Sequence, residues 1–245
     1  MSGPNAPPTE RLNRFLARRG IASRRGADGV IAAGRVSVNG SPAAVGAVVD
    51  PRHDEVTVDG TRLPAAQAMV TLMVNKPAGV VSTRHDPRGR PTVMGLVEGI
   101  PGLVPVGRLD SDSRGLLLMT TDGELAHRVT HPRFGVTKRY LVEVAQHITP
   151  GHLLRLRRGV RLEDGPARAL SARRVSARLI DLQMGEGRKR EVRRLCAAVG
   201  LDVVDLSRIA IGPLELGELA EGTARPLRAE EMAALDAVLQ PRPRR

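Results

Sequence analysis

The sequence predicts an α+β fold in two domains, the larger one dominated by strands. Three observations predict it. The chain has 245 residues, which at about 150 residues per domain is one large domain or two small ones. Hydrophobic residues make up 41%, enough to bury a core. After residue 69 short strand-like runs recur, with helical patterns interspersed.

Residues 1–9 are polar and Pro-rich, with no apolar signal core, and read as a disordered tail. RLNRFLARRG then places Leu12, Phe15 and Leu16 on one face, with Arg11, Arg14, Arg18 and Arg19 around the rest, as an amphipathic helix does. Gly20 closes it. Ser23 caps a second helix that runs to Gly34, although Gly26 and Gly29 weaken it. Val36 and Val38 alternate before Asn39-Gly40, a hairpin turn signal, and Val56 and Val58 before Asp59-Gly60. TRLPAAQA (61–68) has no clear strand or helix period, holds a Pro and reads as a linker.

VTLMVNKPAGVVST opens the second unit with strand character. Strand-like runs follow at 115–120, 139–144, 177–184 and 203–211, and helical patterns at 124–130, 149–158 and 190–199. PLRAEEMAALDAVL forms a last helix, and residues 239–245 a basic tail. There is no internal repeat.

Charge narrows the function. Lys+Arg is 38 against Asp+Glu 26, a formal net charge of +12. All but three of the basic residues (Lys76, Lys138, Lys189) are arginine. Arginine binds phosphate through two parallel hydrogen bonds, so nucleic acid is the first partner to consider and an anionic membrane surface the weaker one. Codon bias also enriches arginine, and composition alone does not separate the two. With one Tyr, two Phe and no Trp, a sheet that stacks several bases is disfavoured. The single Cys196 excludes an internal disulfide and a Cys-cluster zinc site. No apolar run approaches membrane-span length. The expectation is a soluble, cytoplasmic protein.

GRLDSDSRGLLLMTTDG (107–123) sets Asp110 and Asp112 in a polar loop before an apolar strand. Strand-held loops are where catalytic groups sit, while Asp and Ser also simply build turns. A metal held by the D-x-D pair would need further oxygen ligands and a phosphate loop, and neither is evident. His127 and His131 have the spacing of two ligands on one helix face, but no third ligand follows and Pro132 ends the helix; surface or capping roles fit better. Ser113 lacks a nucleophile elbow, and Cys196 sits in an apolar stretch that reads as core. GEGRKREVRRLCAAVG (185–200) joins a Gly-rich turn to an Arg-rich helix start. Arg188, Lys189, Arg190, Arg193 and Arg194 are either a solvated face or, as their density favours, a clamp for phosphate or carboxylate.

Taken together, VNKPAGVVST (74–83), VGRLDSDSRGLLLMTTDG (106–123), KRYLVEV (138–144), GEGRKREVRRLC (185–196) and the closing GPLELGELAEGTARPL (212–227) resemble the RsuA/RluB-type pseudouridine synthases. The first 60 residues resemble that family's small S4 RNA-binding domain. The resemblance implies a small S4-like α/β domain (10–60), the linker (61–68) and a mixed-sheet catalytic domain (69–238). It implies an rRNA pseudouridine synthase that detaches one uracil from ribose C1′, turns it and rejoins it through C5, without metal or cofactor. The expected substrate is 23S rRNA, free or in a pre-ribosomal particle, with 16S rRNA as the alternative, and the expected state is a monomer.

By the same resemblance Asp110 is the nucleophile or base at the sugar, Tyr140 stacks on the uracil and is a candidate to take the C5 proton, and Arg193 pairs with the catalytic carboxylate. Arg108 would fill the space the flipped base leaves. Arg11, Arg14, Arg18, Arg24 and Arg25 in the first domain, and Arg188, Lys189 and Arg190 in the second, are the candidate RNA contacts. Two positions depart from the family: Glu191 stands where Gln is common, and Thr121 where Asn is frequent. A non-catalytic rRNA-binding or assembly factor is the runner-up, though binding alone does not require Asp110. A DNA-binding regulator is disfavoured for want of a dimerising element.

Overall fold

The computed structural model describes residues 9–63, 69–97 and 99–240, without the Arg24 side chain. Most of the expected tail, the last five residues of the expected linker and most of the basic tail lie outside the described residues. The chain divides into two compact units. One holds the described residues up to Val70 together with Gly99–Leu103; the other holds the remainder.

The first unit contains β1 (Glu10–Arg11), α1 (Leu12–Arg18), α2 (Arg24–Ala32), β2 (Val36–Val38), β3 (Ser41–Pro42), β4 (Val48–Val49), β5 (Val56–Val58) and β6 (Thr61–Arg62). Leu12, Phe15 and Leu16 of α1 pack with Ala27 and Ile31 of α2 and with Val36, Val49 and Val56. The Ser23 side chain accepts from Gly26 N and starts α2. Asn39 and Asp59 take positive φ (51° and 49°). Both therefore turn tightly enough to join two-residue hairpins, and the sheet runs β3-β2-β5-β6. The second of these turns corrects the linker: Thr61 and Arg62 pair with Val58 and Thr57. Gly99–Leu103 is a second correction to the expected contiguous boundary. Gly102, at φ 76°, sits where an added Cβ would lie 3.3 Å from the Arg18 carbonyl oxygen, so this segment passes close against the end of α1.

The second unit contains β7 (Thr71–Lys76), β8 (Val104–Val106), β9 (Arg114–Thr120), α3 (Gly123–Thr130), β10 (Lys138–Val144), α4 (Pro150–Arg158), β11 (Val160–Leu162), β12 (Gly165–Ala167), β13 (Ser171–Arg174), β14 (Leu179–Met184), α5 (Glu191–Ala198), β15 (Val203–Ile211), β16 (Leu214–Glu215), β17 (Ala224–Pro226) and α6 (Ala229–Val238). Its main sheet runs β13-β14-β10-β15-β9-β7-β17, with β8 beside β9 and β16 beside β15. All neighbours are antiparallel except β15 and β9, so the sheet is mixed. Six consecutive β9 residues are buried, as a strand covered on both faces must be. Leu116 and Leu118 of β9 share a core with Leu125 and Val129 of α3 and Leu235 of α6. Asp122 caps α3 through bonds from Glu124 N and Leu125 N. Among the described residues no helix is long and apolar enough to cross a membrane.

Candidate active site

The loop that carries Asp110 is fixed from two sides. The backbone N of Ser113 donates to Asp110 O at 3.1 Å, closing a turn that leads into β9. Across from it, Ser82 Oγ donates to Leu109 O at 3.0 Å and accepts from Leu109 N at 3.1 Å. Gly79 N donates to Ser111 O at 2.7 Å. Ser82 and Gly79 follow the fully buried Lys76, whose Nζ donates to Pro77 O and Val80 O, both at 2.8 Å. Lys76 thus shapes one loop, and that loop holds the next. Ser82 is a position the sequence alone did not single out: its place in VVST was visible, and what was missing was the loop at Leu109 that it bonds.

Burial lowers the Lys76 ammonium to about 8, against a favourable pull from Asp112. The sign of the linkage follows. Below about pH 8 Lys76 is charged in both states, and burying that charge costs stability. Between about 8 and 10.5 the unfolded chain keeps a proton that the folded chain has released, so stability rises with pH. Wild type should therefore gain about 3 kcal/mol over Lys76→Met between pH 7 and 10.5 in urea unfolding. Parallel changes in the two proteins would contradict this.

Asp110 opens on a cavity of about 670 Å³ whose wall includes Arg108, Ser113, Lys138, Tyr140, Arg190 and Arg208. Tyr140 projects from the middle of β10 and is 7% exposed, consistent with a ring presented to a cavity and not to bulk water. Lys138 lies partly buried on the same strand, and burial holds its ammonium below the ordinary lysine value. Arg108 and Lys189 are exposed at the cavity edge.

The expected pairing of Arg193 with Asp110 is not what the structure shows. Arg193 Nη2 donates to Asp112 O at 2.8 Å and Nη1 to Val203 O at 3.3 Å, and its Nε lies 3.4 Å from Asp112 Oδ2. The turn after Asp110 is the cause, since it sets Asp112 against the first turns of α5. Arg190 reaches both acids: its guanidinium makes two bonds to Asp112, at 3.1 and 2.8 Å, and comes within 4.0 Å of Asp110 Oδ2. These bonds hold the Asp112 carboxyl below its usual value. Arg190 takes a left-handed φ of 49° to do this, an uncommon conformation for a residue with a side chain.

Arg188 is a second correction. It was expected to face RNA, but its guanidinium is taken up by Glu191 Oε1 at 3.1 and 3.0 Å, Asp164 Oδ1 at 3.1 Å and Pro166 O at 2.7 Å. The buried carboxylate of Glu191 requires such a cation. The Glu at this position is thereby matched to Arg188. Arg194 is likewise engaged by Asp164, at 2.8 Å through both oxygens. In the first unit Arg11 donates to Gly46 O at 2.7 Å, and Arg14 and Arg18 lie 3.6 and 3.2 Å from Glu10. Arg25 is exposed, and the Arg24 side chain lies outside the described residues. His131 caps the turn before Phe134 by accepting from Arg133 N, and the buried Cys196 thiol is pushed up to about 12.

Two polar groups on the cavity wall stand apart. Ser113 Oγ and Arg208 Nη2 are buried and have no hydrogen-bond partner among the described residues. A buried polar group left unpaired costs about 1–3 kcal/mol.

A cavity that joins a loop carboxylate, a strand tyrosine and several cations suits an enzyme that handles an anionic, base-bearing substrate. Comparison with known proteins says which class. Residues 70–198 match the family model described as RNA pseudouridylate synthase, and residues 10–56 match the S4 domain. The chain belongs to the RNA pseudouridylate synthase family, and it is an isomerase. An uncharacterised RNA pseudouridine synthase of Mycobacterium tuberculosis is 44% identical over 92% of each chain. The ribosomal large subunit pseudouridine synthase B of Bacillus subtilis is 38% identical over 94% of this chain and 96% of its own. A crystal structure of a pseudouridylate synthase superposes with a TM-score of 0.67 at 32% identity, covering 92% of this chain and 99% of that one.

Proposed function

We propose that the protein isomerises one uridine of large-subunit ribosomal RNA to pseudouridine, as a cytoplasmic monomer, with Asp110 acting at the sugar. The observation that carries this reading is that Asp110 and Tyr140, from loop and strand, line one cavity. The name of the Bacillus relative supports the choice of RNA.

A uridine in folded RNA must first be turned out of its stack, at a cost of a few kcal/mol. Arg108, exposed at the cavity edge, fills the space it leaves. Tyr140 offers a face for the uracil, and such stacking contributes about 1–3 kcal/mol. Asp110 then either bonds to C1′ or removes a sugar proton as the uracil departs. Arg190 orients Asp110 from 4.0 Å, while Arg193 secures the backbone of the loop. Comparing pseudouridine positions in rRNA from cells with and without the protein tests the proposal: one large-subunit site should be lost.

The S4 unit supplies affinity through its arginines. Replacing Arg11, Arg14, Arg18 and Arg25 together by Gln should weaken rRNA binding. It should also flatten the plot of log K against log salt by about 0.7–0.9 for each phosphate that is no longer neutralised. Filter binding across a KCl series measures both, and an unchanged affinity and slope would place the RNA elsewhere.

A further inference from the structure

We infer that Arg208 and Ser113 together receive the negative charge that uracil acquires as it leaves C1′, an assignment that rests on the function proposed above. Both side chains are almost fully enclosed, 4% and 1% exposed. Each nevertheless keeps one polar atom, Nη2 and Oγ, without a partner among the described residues. Both line the cavity that holds Asp110 and Tyr140. Buried polar atoms are nearly always paired, so two orphans on one cavity wall point to a ligand with acceptor oxygens.

The fold holds them there. Arg208 is the direct partner of Tyr140 across β10 and β15, and side chains of opposed residues leave the same face of a sheet. On its other side Arg208 pairs with Gly115, two residues beyond Ser113. Its Nε donates to Leu116 O at 2.7 Å. That bond fixes the guanidinium plane and leaves Nη2 as the free end.

The acids of this cavity and its edge face other arginines: Glu186 and Glu191 pair with Arg188, Asp112 with Arg190, and Asp110 lies 4.0 Å from Arg190. A buried guanidinium without a carboxylate calls for an anion. The phosphates of the RNA remain with its backbone, at the edge where Arg108 and Lys189 are exposed. What enters the enclosed part of the cavity is the base.

The chemistry supplies the charge there. When the C1′–N1 bond breaks, its electron pair stays on N1 and spreads onto O2 and O4. The electron-poor sugar is met by Asp110, through a bond to C1′ or by loss of the C2′ proton to it. After rotation C5 bonds to C1′ as the Asp110–C1′ bond breaks or, on the other route, as Asp110 returns the proton to C2′. The C5 proton then departs to a base, and N1 takes up a proton. Atoms and charge balance without a further reactant. A fixed cation and a hydroxyl aimed at O2 or O4 bind the departing base more strongly than the intact nucleoside, as catalysis requires.

The test compares single-turnover loss of the C1′–N1 bond in the mapped rRNA fragment carrying uridine or 5-fluorouridine at the target. With fluorine in place of the C5 proton the second base stops as its C5-linked adduct, so bond loss is the step read for both. Fluorine withdraws electrons and makes the departing base easier to release. Arg208→Gln should slow the uridine substrate roughly 10²-fold and the fluorinated one distinctly less, with RNA affinity unchanged. An arginine with only a structural role would slow both alike. Should Arg208→Gln lose its cooperative melting transition, Ser113→Ala carries the test, because it removes a hydroxyl that has no hydrogen-bond partner among the described residues. It should keep its Tm and show the same substrate dependence at roughly tenfold. Equal slowing of both substrates, or wild-type rates from a folded variant, would overturn the assignment alone. Wild-type protein that rearranges neither substrate would overturn the proposed function and this assignment with it.

Discussion

Asp110→Asn should abolish pseudouridine formation, by roughly 10³-fold or more, because the sugar chemistry needs a carboxylate and the neighbouring acids, Asp112, Glu186 and Glu191, are engaged by arginines. The nearest candidate, Asp112, is held by two bonds from Arg190 and by Arg193. An amide at 110 has the same shape and keeps the turn, which is made by the backbone bond from Ser113 N to Asp110 O. Stability and RNA affinity should therefore hardly change. Tritium release from 5-tritiated uridine reports turnover, and a binding titration reports affinity. Turnover within tenfold of wild type would remove Asp110 from the chemistry.

Gly115→Ala should be the most damaging single change to the fold. Gly115 has a φ of +103°, and a Cβ there would lie 2.7 Å from Arg208 N and closer still to Arg208 O. These are backbone atoms of the neighbouring strand and cannot swing aside. The pair β9–β15 would have to part, at a cost of about 3 kcal/mol or more. The same movement would carry Arg208 away from the cavity, so activity should fall with stability. Gly29→Ala is the control: nothing lies within 4 Å of the added Cβ, and the helix should gain about 0.5–1 kcal/mol. Urea unfolding of the two variants decides it, and a Gly115→Ala protein within about 1 kcal/mol of wild type would show that the strands yield easily.

Local features of the fold were legible in the sequence because their causes are local. Ser23, Gly20, Asn39-Gly40 and Asp59-Gly60 act within a few residues of themselves, and each marks its helix end or turn in the structure. The apolar run of β9 announced a buried strand in the same way. Pairing is different. Thr61–Arg62 reads as linker until β5 is known to lie beside it. β8 carries Pro105 and shows no strand period, yet it fits on the short edge of β9 that β15 leaves uncovered, where a proline is tolerated.

The site divides along the same line. The segments that surround the cavity stood out through their residues, Asp110 above all. Who touches whom did not. Arg188 reads as one more free cation, and only the fold brings Asp164, Pro166 and Glu191 around it. The family resemblance matches Arg193 to Asp110, whereas the turn at 110–113 presents Asp112 to it instead. Arg208 attracts no notice in an ordinary strand, since its significance depends on Tyr140 and Gly115 lying on either side.

Incubating the purified chain with transcripts of large- and small-subunit rRNA, each labelled with tritium at uridine C5, tests the central claim most directly. Formation of the C5 glycosidic bond expels the label. The account predicts release of one equivalent from the large-subunit transcript and none from the small. Tight binding of the large-subunit transcript without release of tritium would contradict it, and would make this chain a binding protein on an enzyme's fold.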